Sequence, residues 1–584
     1  MMNLRNLALA SACAWIAGAA AFAPEAFALD YGKAVKNYDI YGGGASVPAP
    51  YARQTFDCYA NPTDLIISGS PPQFEAIPSF DYTGTPPQNC ASQHITTNGT
   101  IWLVSTSSGP GILALFGHDP TFFGYINEQD DQYFPSVQYA FSTTSLGDTD
   151  VDVYNNGGTE TQGKSSVTIA APNAESCTSG SKSPYPNPLQ CYGPLIQFPF
   201  AITPIVFAYN STYEKWINSS NQETDYHLNV QYSRQDGSGG LRLDPTTYCE
   251  IWNGQITNWN SSALTADNGG VSLEDPNDPA PASKWSVPLQ IVGRSDSAGA
   301  TSILSRHLAN VCASLSGNQY TTGASTLPAS LQGPTYNVDN PNYPPVTGEQ
   351  LGKFTLAPNN SGVAQYTAFT VVPSTSLPSN CSYTPTGATA CIALGRITYS
   401  GTDYVLPYVA DLQLNDYNLN TATLENSSGN WEEATPATAQ AAYSVIQPPQ
   451  SNSKGAYCST CTSFGLRTDP TAWVQSTSPT SLIADPTSSG AYPVVGTANW
   501  LTYTCYASKY QEKTLTGVMK YISEEPINYD DKNGILAAAG LAPLDAQWRS
   551  AIKGTFVSNK DGLNLQIEPA GTGSVCSQNG IIGG

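Results

Sequence analysis

Val287-Pro288-Leu289-Gln290-Ile291-Val292 runs directly into Gly293-Arg294-Ser295-Asp296-Ser297-Ala298-Gly299, and Ile303, Leu304, His307, Leu308 and Val311 then recur on one face at helical spacing. An apolar, β-branched run, a tight loop of small residues and an amphipathic helix make one βα unit. His307 shares the apolar face and reads as a core histidine, not as a ligand or an acid–base catalyst. Three more stretches repeat the pattern. Tyr38-Asp39-Ile40-Tyr41 precedes Gly42-Gly43-Gly44-Ala45-Ser46, with Pro48 at the expected first helical position. Ile101-Trp102-Leu103-Val104 precedes Ser105-Thr106-Ser107-Ser108-Gly109 and the apolar Ile112 to Phe116. Val137 to Phe141 precedes Ser142-Thr143-Thr144-Ser145. Strand, short loop and helix in succession predict an α/β architecture. Asp244 as N-cap, Pro245 at the first turn and Gly254 at the end mark a further helix, and helices are also predicted from about Ser508 to Ser523 and from Asp545 to Lys553.

The composition around these units excludes several classes. Of 584 residues, 23 are Lys or Arg and 45 are Asp or Glu, for a formal net charge of −22. That acidity argues against nucleic acid, whose backbone asks for a basic surface. Only 12% of residues are charged against 40% hydrophobic, too apolar for wholesale disorder and too polar for a multi-span membrane protein. The stretches 60–95, 155–190, 260–284, 315–350 and 445–490 are rich in Pro, Asn, Ser and Gly and read as surface insertions.

The first 28 residues, with Arg5, an almost wholly apolar run over 7–23 and Ala26-Phe27-Ala28, read as a secretory signal peptide. A membrane anchor and lipidation at Cys13 are the alternatives. Twelve further cysteines, an even number in an exported chain, imply disulfides. Proximity in sequence suggests Cys58–Cys90, Cys177–Cys191, Cys249–Cys312 and Cys381–Cys391. Cys458 and Cys461 suit a short structural bridge better than a redox or zinc motif, since a second CxxC is missing and no His lies near. Cys505 and Cys576 complete the set. No metal site or cofactor is expected.

Hydroxyls and backbone N–H groups gathered at strand ends and helix N-termini make an anion site, because unpaired donors and the helix dipole favour negative charge there. Arg294 would add a charged, bidentate contact suited to an oxyanion, and Asp296 would hold its guanidinium in place. Each loop alone is also compatible with an ordinary βα turn. An enzyme is not indicated: the chain has no GxSxG or HExxH, and His94, His118, His227 and His307 are scattered.

An ordered set of segments resembles the periplasmic phosphate-binding proteins of the PstS type, the DING group in particular. The segments are Tyr41-Gly-Gly-Gly-Ala-Ser46-Val-Pro-Ala-Pro50, Ile251-Trp-Asn-Gly-Gln-Ile-Thr-Asn-Trp259, Val292-Gly-Arg294-Ser-Asp296-Ser-Ala-Gly299, Gly395-Arg-Ile-Thr-Tyr399, Ala491-Tyr-Pro-Val-Val-Gly496 with Cys505-Tyr506, and Gly540-Leu-Ala-Pro-Leu544. They follow family order from about residue 37 to 550. The resemblance implies a bilobal periplasmic-binding-protein fold: two α/β lobes joined by a two-crossing hinge, here with long disulfide-stapled insertions. Lobe 1 would comprise 29–200 plus 491–584, and lobe 2 would comprise 201–490.

The resemblance also implies oxyanion ligands at Ser46, the Val47 amide, Ser108, Thr143, Arg294, Asp296, Ala298, Gly299 and Ala300. Three of these depart from the family pattern. Its loop serine falls on Ala298, its loop threonine on Ala300, and its proton-accepting aspartate on Thr143. Each lost hydroxyl donor would cost about 1.5–3 kcal/mol with a buried charged anion, and loss of the acceptor weakens phosphate-over-sulfate discrimination. Asp148 and Asp150 are the nearest substitutes for the missing acid. The expected function is a monomeric, periplasmic or extracellular carrier of phosphate or a related tetrahedral oxyanion, serving an ABC importer permease. The alternative is an exported structural or adhesive protein that has lost the ligand.

Overall fold

The computed structural model describes residues 38–60, 99–124, 133–178, 183–218, 222–234, 240–280, 285–335, 351–368, 388–393, 395–405, 419–451, 465–477, 481–525, 534–560, 565–578 and 580–584, together with 220 and 562. The expected signal peptide, most of the 60–95 insertion, and Cys13, Cys90, Cys381, Cys458 and Cys461 lie outside them.

Four parallel βα units carry the expected motifs. They are β1 (Ile40–Gly44) with α1 (Ala49–Tyr59), β2 (Ile101–Ser105) with α2 (Ser108–Gly117), β3 (Tyr139–Ser142) with α3 (Asp148–Asn156), and, much later, a strand at Gln290–Arg294 with a helix at Gly299–Val311. A hairpin, β4 (Gly158–Gln162) and β5 (Ser165–Ile169), follows α3. The 15-residue strand β6 (Leu195–Tyr209) is buried at every position, as its run of Ile, Phe, Val and Ala dictates. In chain order the remaining elements used below are α4 (Pro245–Trp252), β7 (Gln290–Arg294), α5 (Gly299–Val311), β8 (Gln332–Thr335), β9 (Phe354–Ala357), α6 (Asn360–Ala368), β10 (Arg396–Gly401), β11 (Val495–Tyr503), α7 (Lys509–Glu524) and α8 (Ala546–Ile552).

Among the described residues, ten strands form one sheet in the order β8-β9-β7-β10-β6-β11-β3-β1-β2, with the two-residue strand Asn420–Thr421 pairing β6 off this path. β1, β2 and β3 run parallel at one end, and β7, β8, β9 and β10 run parallel at the other. β6 and β11 lie between. β6 pairs antiparallel with β11 through residues 195–204 and with β10 through residues 205–209, so a single strand serves both parallel sets. β11 returns beside it and pairs with β3. Two chain segments therefore join the sets, and the C-terminal ends of the parallel strands carry the loops singled out from the sequence.

Aromatic packing fixes this arrangement. Trp500 of β11 is buried against Phe56 of α1, Tyr139 and Phe141 of β3, and Phe198 and Phe200 of β6. Each such ring removes about 150–250 Å² from water, which dominates a local core. Capping matches the sequence: Asp244 accepts from the Thr247 amide ahead of α4, Ser508 from Tyr510 ahead of α7, and Asp545 from Gln547 and Trp548 ahead of α8. Gly254 follows α4 with φ of 71°, a left-handed conformation that favours glycine. His307 is buried in α5, with Nδ1 2.7 Å from the Ala484 carbonyl and Nε2 3.1 Å from the Tyr248 hydroxyl, a satisfied core histidine. Burial pushes it down to about 4, so it stays neutral at pH 7.

Disulfides join Cys177–Cys191 and Cys249–Cys312, as their spacing suggests, and also Cys505–Cys576. Cys58 is disulfide-bonded as well. The first bridge ties the stretch carrying the β4–β5 hairpin to the core.

Two boundaries differ from expectation. β1 takes in the whole Gly42–Gly44 run instead of ending before it. A Cβ on Gly42 would stand 2.4 Å from the Tyr139 carbonyl oxygen, and one on Gly43 would stand 2.2 Å from that of Val104, so only glycine lets this strand lie between its neighbours. Pro48 precedes α1 as its N-cap and is not its first residue.

Candidate oxyanion site

The loops after β1, β2 and β3 are sewn together by backbone bonds. Gly44 accepts from the Thr106 amide at 2.8 Å, and Ala45 donates to the Phe141 carbonyl at 2.9 Å. Gly44 has φ of 126°, and a Cβ there would meet the Phe141 oxygen at 2.3 Å. Ser46 and Val47 follow, both buried, and the Ala49 amide closes the turn onto the Ser46 carbonyl at 3.1 Å. Ser108 opens α2. Its Oγ accepts from the Thr143 amide at 3.0 Å and the Thr144 amide at 3.4 Å, and lies 3.4 Å from Thr143 Oγ1. The Ser108 and Thr143 loops thus form one hydrogen-bonded unit. Thr144 Oγ1 is buried beside it with no partner among the described residues.

Across from them, Arg294 ends β7 with its side chain buried. Nε donates to Asp296 Oδ1 at 2.7 Å and Nη2 to Asp296 Oδ2 at 2.5 Å, a fork-on-carboxylate geometry that fixes the guanidinium plane. Nη1 donates to Asn360 Oδ1 at 2.8 Å. The Arg294 amide donates to the Tyr399 hydroxyl at 3.3 Å, and Thr301 Oγ1 lies 2.7 Å from the same oxygen. Burial pushes Tyr399 up to about 12, so it remains a neutral phenol. The Ser295 amide donates to the Ala357 carbonyl at 2.9 Å, tying the β7 loop to the end of β9.

Two contacts bring the strand-end sets together. Gly299, the first residue of α5, packs on the Thr143 loop: a Cβ on it would stand 1.9 Å from Thr143 Oγ1 and 2.4 Å from the Thr143 carbonyl carbon. The Gly109 amide points at the Ser297 carbonyl at 3.5 Å. The β4–β5 hairpin adds a third element. Cβ atoms built on Gly109 and Gly163 would each stand about 3.0 Å from their nearest neighbours, Gln162 and Ser297 respectively. Ser297 is thereby wedged between α2 and the hairpin tip.

The sequence-derived residues separate into groups. Ser108, Thr143 and Gly299 meet, and Arg294 and Asp296 pair. Ser46 and Val47 lie in the loop bound through Ala45 to β3. Ala298 is buried ahead of α5, and its amide donates to the Ser325 carbonyl at 2.8 Å. Ala300 belongs to the hydrophobic core. Asp150 turns back onto the Gly147 amide at 2.6 Å and hydrogen-bonds Glu160. Burial, then the Asp150 charge, pushes Glu160 up to about 8. Asn360, Thr301 and Tyr399 were not singled out from the sequence as site residues. The signal for Asn360 was a fifth strand–loop–helix, Phe354–Ala357 followed by Asn359-Asn360-Ser361-Gly362.

Chemically, the loops offer amide and hydroxyl donors together with one buried guanidinium whose charge Asp296 already offsets. An anion here would be held by local hydrogen-bond donors and helix N-termini more than by net positive charge.

Residues 190–525 match the family model described as a PBP superfamily domain. The chain belongs to the PBP superfamily. Alkaline phosphatase L of Pseudomonas aeruginosa PAO1 is 23% identical over 389 residues, covering 67% of this chain and 72% of that protein. A phosphate-binding protein from an unknown prokaryotic organism is 23% identical over 356 residues, covering 59% and 73%. The solved ancestral soluble variant of the Human Phosphate Binding Protein superposes with a TM-score of 0.50 at 18% identity, covering 91% of this chain and 99% of that one. That likeness supports the fold: two parallel strand sets joined through β6 and β11.

Proposed function

We propose that this PBP-superfamily member is an exported solute-binding protein that holds phosphate or a related tetrahedral oxyanion between two lobes and passes it to an ABC importer permease. Lobe 1 comprises 29–200 plus 491–584, lobe 2 comprises 201–490, and the carrier acts as a monomer in the periplasm or outside the cell. The observation that carries the reading is the buried Arg294, clamped by Asp296 at the end of β7, directly before the loop that leads to Gly299 and its contact with the Thr143 loop. Family membership and the phosphate-binding relative point the same way.

Isothermal titration of the mature protein with phosphate, sulfate and arsenate tests this. Saturable heat with at least one of them is expected, and no heat with any, from a folded protein, defeats the proposal. With Thr143 where the family has a proton acceptor, sulfate is expected to compete with phosphate. The protein binds and does not turn over. The similarity to alkaline phosphatase L makes a chromogenic phosphate ester the control: hydrolysis by pure protein that Arg294→Ala abolishes would replace the carrier with an enzyme.

A second reading, an exported structural or adhesive protein of the same fold, is favoured by one observation: where the resemblance asks for ligand hydroxyls, Ala298 spends its amide on Ser325 and Ala300 packs in the core. On that reading only the variant Ala298→Ser, Ala300→Thr, Thr143→Asp binds phosphate. Micromolar binding by the unmodified chain excludes it.

A further inference from the structure

Asn360 is the first residue of α6, directly beyond β9, the strand that pairs with β7 in parallel register, Arg294 opposite Ala357. Its side chain is wholly buried. Oδ1 accepts from Arg294 Nη1 at 2.8 Å. A guanidinium has only donors, so this bond fixes which way the amide faces: oxygen to Arg294, nitrogen away. Nδ2, with two N–H donors, is buried and has no partner among the described residues.

A buried amide nitrogen left without an acceptor carries an uncompensated desolvation penalty. A ligand beside it would satisfy it. Its immediate neighbour is the guanidinium assigned to the anion, and the adjoining loop is tied to the same strand end by the Ser295–Ala357 bond. Chemistry also favours an anion over water as the occupant. Arg294 beside Asn360 polarises the amide through Oδ1, strengthening Nδ2–H as a donor, and α6 presents its N-terminus from the same residue.

We propose that Asn360 is a direct ligand of the oxyanion, donating from Nδ2 to an oxygen held on the next side by Arg294. It adds a donor to a site in which Ala298 and Ala300 offer no hydroxyl. The pair acts as a unit: Oδ1 orients the guanidinium, and Nδ2 extends the row of donors beyond it. The inference rests on the oxyanion-carrier reading and goes beyond it in naming a contact.

Titration of the full-length mature chain with inorganic phosphate tests it, with Asn360→Ala and Asn360→Asp beside the unmodified protein and a thermal melt of each to confirm folding. Loss of one hydrogen bond to a charged ligand predicts about 10- to 150-fold weaker phosphate binding in Asn360→Ala. Asn360→Asp keeps the acceptor for Arg294 but replaces the donor with a carboxylate, so it is expected to bind more weakly still. Should Asn360→Ala not fold, Asn360→Asp carries the test. Affinity within threefold of the unmodified chain in the folded variants overturns the inference. So does loss in Asn360→Ala with full binding in Asn360→Asp, because that pattern makes Asn360 only a prop for Arg294. No heat from the unmodified chain with phosphate, sulfate or arsenate instead overturns the carrier reading itself.

Discussion

Gly299→Ala separates ligand binding from folding. The new methyl would stand 1.9 Å from Thr143 Oγ1, 2.4 Å from the Thr143 carbonyl carbon and 2.5 Å from the Thr144 amide nitrogen. A threonine side chain can turn aside, but a backbone cannot. Restoring ordinary contact at 3.4 Å requires the two loops to part by about 1 Å. Overpacking of this kind costs about 1–3 kcal/mol, which is about 5- to 150-fold in affinity if phosphate is held with the loops together. In a ligand-free state with the loops parted, the same substitution should not harm the fold. Gly299 does not sit in the left-handed region, so alanine fits its backbone, and fewer unfolded conformations add about 0.4–1 kcal/mol of stability. The clash vanishes once the loops separate. Titration with phosphate, together with a melt of the ligand-free protein, should therefore show weaker binding and an unchanged or higher melting temperature. Phosphate affinity within twofold of the unmodified chain would refute the reasoning, since it would mean that binding does not use the loop contact.

Arg294→Ala leaves Asp296 and Asn360 without their donor and is expected to weaken phosphate binding by at least about 30-fold by titration; Arg294→Lys should rescue little, because an ammonium cannot reproduce the fork. Replacing Cys505 and Cys576, 71 residues apart, with alanine should cost about 4 kcal/mol in denaturant unfolding, against about 3 kcal/mol for Cys177 and Cys191, 14 apart; a reversed order would show that native strain outweighs loop entropy. Glu160 is raised from the usual carboxylate range to about 8, so between those values the folded chain holds a proton that the unfolded chain lacks, and stability falls as pH rises through that window. Glu160→Gln should then raise the melting temperature at pH 9 and change it little at pH 4; equal shifts at both would exclude titration as the cause.

The α/β units were legible in the sequence because each pairs a β-branched run with a small-residue loop and a helical apolar face, all local signals. Boundaries were less so. Gly42–Gly44 reads as a loop on local grounds, but the close approach of Tyr139 and Val104 makes it a strand. Arg294 reads as a loop residue and is the last residue of β7. At the candidate site, the Arg294–Asp296 pair was visible because its members stand two apart. Asn360 was not, because its meaning depends on a partner 66 residues away. The amide of Ala298 likewise finds Ser325 across a loop that no periodicity predicts. Cys505–Cys576 stayed unpaired at the level of sequence because spacing alone does not determine connectivity.

The position of β11 bears on how such a chain is made. Residues 495–503 sit between β3 and β6, in the middle of the sheet, although they follow both far along the chain. β3 and β6, made much earlier, therefore lack their inner neighbour until residue 503 has been translated. A nascent chain cut short before residue 495 is expected to stay protease-sensitive around β1, β2 and β3, and one ending after residue 525 to resist there.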